Sequence, residues 1–340
     1  MADFRTFMGE NKSVWKFVET SEDCNSIHFY QDLYEKNIDL LLTPKKEGSI
    51  PFVMHFIWLG PNPFPKESID NIKSWISLHP NWTYNFWTDR MRPLPDPAMK
   101  LQLITSYPFS KLAHCFEDST NYAEQADILR YEILYNLGGL YIDHDVKCLK
   151  SFTPFLQNYD LFCGLEPPHN PVLSSSISVC NNLIGSKPFH PILEKCIELV
   201  DEKWIDIGNA YPGDDKESII YRVANRSFSP FDEAVRLLAN DLSHTNMIFP
   251  AGYFNQIDDD FAFYAHHYYA STWFEDETKF ERNVRRRLIS ISRKNNQILL
   301  FNAVILTANV LLLGCLLYQF RMIRTLVAAK KSQKKHDSKR

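Results

Sequence analysis

Two carboxylates one residue apart, Asp143 and Asp145, follow directly on the apolar tripeptide Leu140-Tyr141-Ile142. On a strand, positions i and i+2 face the same side, so both carboxylates can converge on a single cation. Hard oxygen donors of this kind suit Mg2+ or Mn2+, which keep coordination positions for phosphate oxygens and water. Asp127 and Arg130 stand upstream at a spacing of i and i+3, on one face of a helix. As a solvated surface pair they would contribute little. In a site, the carboxylate and the forked guanidinium would grip hydroxyls and phosphate.

The surrounding pattern supplies elements able to aim these groups. Phe52 to Leu59 is an unbroken apolar run of strand length, closed by Gly60-Pro61-Asn62-Pro63. Glu67 to Leu78 has helical spacing, with Ile69, Ile72, Trp75 and Ile76 on one side, and Trp82 to Trp87 is a second strand candidate. Tyr122 to Leu137 reads as a helix stopped by Gly138-Gly139, after which a short strand leads straight into Asp143. Alternating strands and helices predict an α/β sheet with parallel strands, whose ligands sit beyond the carboxyl ends of the strands. Residues 1–48 read as short helices ending in a turn-rich connector, a helical N-terminal appendage with no chemistry visible in it.

The 340 residues are 45% hydrophobic, enough for one sizeable core, and the formal net charge of -4 argues against a nucleic-acid partner. Seven Cys without a C-x-x-C pair indicate neither a zinc knuckle nor a disulfide framework, and fit reduced thiols. Met1 to Glu10 lacks the apolar core of a secretory signal. Residues 298–320, in contrast, carry no formal charge. As a helix they would reach roughly 34 Å, enough to span a bilayer. A basic juxtamembrane segment (281–297) and a basic tail (321–340) flank that run, so charge alone leaves its orientation open. The expectation is a C-terminal anchor holding a cytosolic domain of residues 49–280 at a membrane.

The stretch from Asn121 through Asp127 and Arg130 to Gly138-Gly139 and Asp143-His144-Asp145 resembles the signature of the DXD-containing sugar-binding glycosyltransferases. That superfamily includes Och1-like mannosyltransferases, capsular-polysaccharide transferases and the catalytic domains of large clostridial glucosylating toxins. Further blocks match in order: His55 to Gly60, Ser74-Trp75 with His79-Pro80, Asn181-Asn182 with Lys187 to Pro191, and Ala265 to Trp273. The resemblance covers roughly residues 50 to 275. It implies a GT-A type, Rossmann-like nucleotide-sugar-binding fold and transfer from a UDP- or GDP-sugar with retention of anomeric configuration, dependent on Mn2+ or Mg2+.

Carried over by position, the resemblance puts Trp58 against the nucleotide base and Asp127 and Arg130 on the donor sugar. Tyr141 would contact the donor near the metal. Asp143 would bridge the metal and the ribose or sugar, and Asp145 would ligate the metal directly. His266 or His267, with Ser271, would complete the metal shell or touch the diphosphate. Trp273 would lie over the glycosidic oxygen, and Asn181 or Asn182 near the reacting carbon. Two features depart from the family: Phe228-Ser229-Pro230 replaces a common Gly-Pro pair, and the His-to-Trp spacing is longer. The resulting expectation is a hexosyltransferase acting on a membrane-associated glycolipid or saccharide. A protein acceptor and a non-catalytic sugar-nucleotide-binding protein are the rivals.

Overall fold

The apolar run at Phe52 becomes a buried central strand because other strands cover both of its edges. The computed structural model describes residues 3–42, 48–119, 121–170, 175–213, 215–258 and 262–270. Its strands are β1 (Val53–Trp58), β2 (Thr83–Thr88), β3 (Met99–Leu103), β4 (Gly139–Ile142), β5 (Val146–Cys148), β6 (Leu161–Leu165), β7 (Val179–Ser186), β8 (Asn246–Phe249) and β9 (Ala265–His267). The helices are α1 (Phe4–Phe7), α2 (Ser21–Asn37), α3 (Lys66–Leu78), α4 (Ala113–Asp118), α5 (Tyr122–Leu137), α6 (Thr153–Asn158), α7 (Pro191–Ala210), α8 (Lys216–Val223) and α9 (Ser229–Leu238).

Seven strands form one sheet in the order β3-β2-β1-β4-β7-β6-β8, while β5 and β9 pair separately. Strand β1 runs parallel to β2 and β4, as β2 does to β3 and β6 to β8. The expectation of parallel strands fails at β7, which is antiparallel to both β4 and β6. That reversal brings the beginning of β7 to the same sheet edge as the ends of β4 and β6. The register of β6 against β7 also breaks there: Cys163 pairs with Ile184 and Gly164 with Cys180, so Asn181 to Leu183 bulge out of the ladder. Bulges re-aim side chains and backbone groups, often beside functional sites.

Helix α5 begins and ends as its sequence dictates. Asn121 caps it, its side-chain oxygen accepting from the N–H groups of Ala123 (2.9 Å) and Glu124 (3.1 Å). Gly138 and Gly139 then turn the chain into β4 with φ of 63° and 104°, a region L side chains avoid. A Cβ on Gly139 would stand 2.5 Å from the Val53 carbonyl oxygen. His55 locks the corner, its Nε2 meeting the Gly138 carbonyl at 2.9 Å while Trp87 Nε1 donates to its Nδ1 at 3.0 Å.

Residues 3–42, expected as an appendage, instead share the main core. Phe4, Ile27, Tyr30 and Tyr34 are buried in one cluster with Phe155, Phe162 and Phe249. The Tyr34 and Tyr253 hydroxyls meet at 2.8 Å, and Asn37 donates to the Asn246 carbonyl at 2.9 Å. Asp23 closes a capping box with Thr20 and also accepts from Ser175 and the Ser176 N–H. Among the described residues no helix is long and apolar enough to cross a membrane. The expected span at 298–320, its basic flanks, Ser271 and Trp273 lie outside the described residues.

Candidate active site

Four elements deliver the predicted residues to one edge of the sheet. Helix α5 contributes Asp127 and Arg130, and the end of β4 contributes Tyr141 and Asp143. The link to β5 carries His144 and Asp145, and β9 brings in His267. Arg130 is 5% exposed, and its guanidinium engages four groups besides the Ala126 carbonyl, to which its Nε donates at 3.5 Å. It pairs with Asp127 at 2.8 Å and Asp143 at 3.4 Å, donates to the Asn181 carbonyl at 2.6 Å, and stacks 4.3 Å from the Tyr141 ring centre. Burial works against its charge, but Tyr141, Asp127 and Asp143 more than offset that and raise its pKa above the ordinary arginine value.

The bulge in β7 completes this arrangement. The Asp143 N–H donates to the Asn182 carbonyl at 2.8 Å, and the Tyr141 hydroxyl donates to Asp143 Oδ1 at 2.5 Å. Asp127 receives Arg130 and Asn181 Nδ2 (3.1 Å) on one oxygen and Ser227 Oγ (2.6 Å) on the other. Ser227 lies in a single π turn, Ala224–Phe228, just before Pro230 opens α9. This is how the chain accommodates Phe228-Ser229-Pro230: the widened turn aims a hydroxyl at Asp127.

Asp145 is held from the far side. The Ala270 N–H donates to its Oδ2 at 2.7 Å, and His267 Nε2 stands 3.4 Å from the same oxygen. Burial pushes the Asp145 carboxyl upward, but His267, His144 and the Ala270 N–H together hold it well below the usual range. Asn182 Nδ2 lies 2.8 Å from His267 Nδ1 and 2.8 Å from Asn255 Oδ1, so the β7 bulge also fixes the orientation of the imidazole. Pairing of β9 with β5 sets Val146 opposite His267 and Lys147 opposite His266. His266 therefore faces the other way, where the Ala262 N–H donates to its Nδ1 at 3.4 Å.

Asp143, Asp145 and His267 offer one ligand atom each, all within 4.8 Å of one another. Two carboxylate oxygens and one imidazole nitrogen form a donor set that fits Mn2+ or Mg2+, ions that commonly take phosphate oxygens and water as their remaining ligands. His144, between the acids, points away and meets Ser68 Oγ at 2.8 Å. Its ring packs edge-on against Trp58, centroids 5.0 Å apart. Trp58 itself is only partly buried and donates to the Asn62 carbonyl at 2.9 Å. An aromatic face thus flanks the acids at the end of β1.

Both Asn181 and Asn182 reach this edge, but their amides are turned to Asp127 and Tyr131 and to His267 and Asn255, respectively. Two further residues are brought to this edge by the fold alone, Ser227 and Asn255, and neither carries a signal in the sequence.

Residues 65–162 match the family model described as the glycosyltransferase sugar-binding region containing DXD motif. The matched stretch includes Asp127, Arg130, Tyr141, Asp143 and Asp145. Among its relatives is Inositol phosphoceramide mannosyltransferase 3 of Schizosaccharomyces pombe, 34% identical over 149 residues, or 44% of this chain and 36% of that protein. Mannosyl phosphorylinositol ceramide synthase CSH1 of Saccharomyces cerevisiae is 32% identical over 149 residues, or 44% of this chain and 35% of the relative. The chain spans little more than a third of the length of these curated relatives. Among solved structures, the PaToxG glycosyltransferase is similar at 17% identity and a TM-score of 0.44, over 64% of this chain and 79% of that one.

Proposed function

We propose that this protein is a metal-dependent glycosyltransferase of GT-A type that moves a hexose from a nucleotide-sugar donor to a lipid-borne saccharide or polyol head group. The observation that carries this reading is the convergence of Asp143, Asp145 and His267 within 4.8 Å, beside an arginine already committed to Asp143. The names of the relatives favour mannose as the sugar and an inositol-phosphoceramide-type lipid as the acceptor. The uncharged run at 298–320 supports membrane anchoring, with the domain on the cytosolic side.

In this reading Asp143, Asp145 and His267 would hold Mn2+ or Mg2+, and Ser271 would join them. The ion supplies positive charge to the departing diphosphate. Asp127 and Arg130 position the donor sugar: Arg130 is pinned by Asp127, Asn181 and Tyr141, so little ordering remains to be done when the donor binds. Trp58 offers a face to the nucleotide base, and Trp273 would cover the glycosidic oxygen. Transfer proceeds with retention, the acceptor approaching on the face from which the diphosphate leaves.

The test is turnover of a panel of UDP- and GDP-sugars by the full-length protein, with and without Mn2+ and with inositol phosphoceramide as acceptor. Metal-dependent release of nucleotide from one donor supports the reading. Failure to turn over any donor would falsify it.

A further inference from the structure

We propose that Glu166 and Tyr269 form the acceptor subsite, a hydroxyl-binding pair for a polyhydroxylated head group; the inference rests on the transferase reading above. Strand β6 ends at Leu165, and the Glu166 N–H continues the ladder by donating to the Ser178 carbonyl at 2.9 Å. Glu166 therefore stands at the same sheet edge as Asp143, with the first residues of β7 between them.

Its carboxylate differs from every other one at this edge. Asp127 and Asp143 share Arg130, and Asp145 has His267 and a backbone N–H. Glu166 has the thiol of Cys180 at 3.5 Å, a weak donor, and His169 Nδ1 at 3.6 Å. Among the described residues no lysine or arginine pairs with it, and its side chain remains 24% exposed. A carboxylate left with two weak partners retains capacity to accept from incoming hydroxyls.

Tyr269 closes the other side. Its neighbours are fastened to Asp145, the Tyr268 N–H by the carbonyl and the Ala270 N–H by the carboxylate. The two bonds hold Tyr269 at a φ of 49°, a strained value for a bulky residue. Its ring lies 4.1 Å from that of His267, centre to centre. Asn255 ties the two sides together: its Nδ2 donates to the Leu165 carbonyl, next to Glu166, at 2.9 Å, and its backbone bridges to His267, against which the Tyr269 ring packs with 41% of the residue still exposed. Inositol and sugars are what such a pair can hold: several hydroxyls, each able to donate to a carboxylate, against an aromatic face.

The experiment compares the full-length wild type with Glu166→Gln and Tyr269→Phe. It measures nucleotide-sugar hydrolysis without acceptor, and transfer to two probes, inositol phosphoceramide in micelles and free mannose. The expected result is a transfer-to-hydrolysis ratio lowered by about tenfold in Glu166→Gln, through a raised acceptor KM, with partial recovery in Glu166→Asp. Tyr269→Phe shifts the ratio in the same direction. An unchanged ratio, or equal loss of both activities with a lowered melting temperature, overturns the assignment. So does a wild type that hydrolyses donor but transfers to neither probe. A wild type that hydrolyses no donor removes the transferase reading itself.

Discussion

Arg130 reaches Asp143 at 3.4 Å from a position that Asp127 fixes at 2.8 Å, so the helix carboxylate sets the charge beside the strand carboxylate. Lysine keeps the charge but not the fork needed to serve Asp127, Asp143 and the Asn181 carbonyl together. Arg130→Lys should therefore lose at least one buried charge-assisted hydrogen bond, about 1.5–3 kcal/mol. Donor turnover should fall on the order of tenfold to a hundredfold. Steady-state kinetics beside a thermal melt checks this; a variant with wild-type kcat/KM would remove Arg130 from the site.

Ser227 acts one step further out. Its hydroxyl is the only donor to Asp127 Oδ2 found among the described residues. Ser227→Ala leaves that buried oxygen unpaired and should cost about 1–3 kcal/mol of stability. The loss should appear as a lower urea midpoint with an unchanged m-value.

The Gly-Gly corner makes a sharper demand. Gly139→Ala places a methyl 2.5 Å from the Val53 carbonyl oxygen and 2.9 Å from His55 Nε2, at a φ of 104°. Backbone has to shift there, so the variant should be destabilised by more than the roughly 1 kcal/mol ordinary for a glycine position. A circular-dichroism melt equal to that of the wild type would contradict this.

Stability should also fall in mild acid. His55 is fully buried, and burial lowers its pKa from 6.5 to about 4, only partly opposed by the Gly138 carbonyl. His79 is lowered too, again by burial, and accepts from the Phe152 N–H at 2.8 Å. With the folded pKa depressed, the unfolded chain binds more protons between those values. The contribution is therefore complete above pH 6.5 and is lost as the pH drops toward 4, on the order of 3 kcal/mol for His55. Trp87→Phe removes the donor that keeps Nδ1 unprotonated, so the pH dependence of its melting temperature should be shallower over that window.

Much of the scaffold was legible because local chemistry decides it. The helix expected from Tyr122 to Leu137 has those bounds, and β1, α3, β2 and β4 fall where the apolar runs and the Gly-Gly stop put them. Convergence of Asp143 with Asp145, expected from the two-residue repeat of a strand, comes instead from a turn just past β4, closed by the Val146 N–H donating to the Asp143 carbonyl at 3.1 Å. What periodicity could not supply was long-range pairing. Choosing between His266 and His267 takes the register of β9 on β5, and the reversal and bulge of β7 depend on strands far away in sequence. Ser227 was hidden because a π turn changes which side of a helix a residue faces. Residues 3–42 looked separate because the partners of α2, around Asn246 and Tyr253, lie at the other end of the domain.

The central claim is that Asp143, Asp145 and His267 together hold the ion on which donor turnover depends. Its most direct test is Mn2+ binding followed by electron paramagnetic resonance, in parallel with nucleotide-sugar turnover, for wild type, Asp145→Asn and His267→Ala. The account predicts one bound Mn2+ in the wild type, with binding and turnover lost together in both variants and on chelation. Turnover that persists in Asp145→Asn, or that is indifferent to chelation, would contradict it.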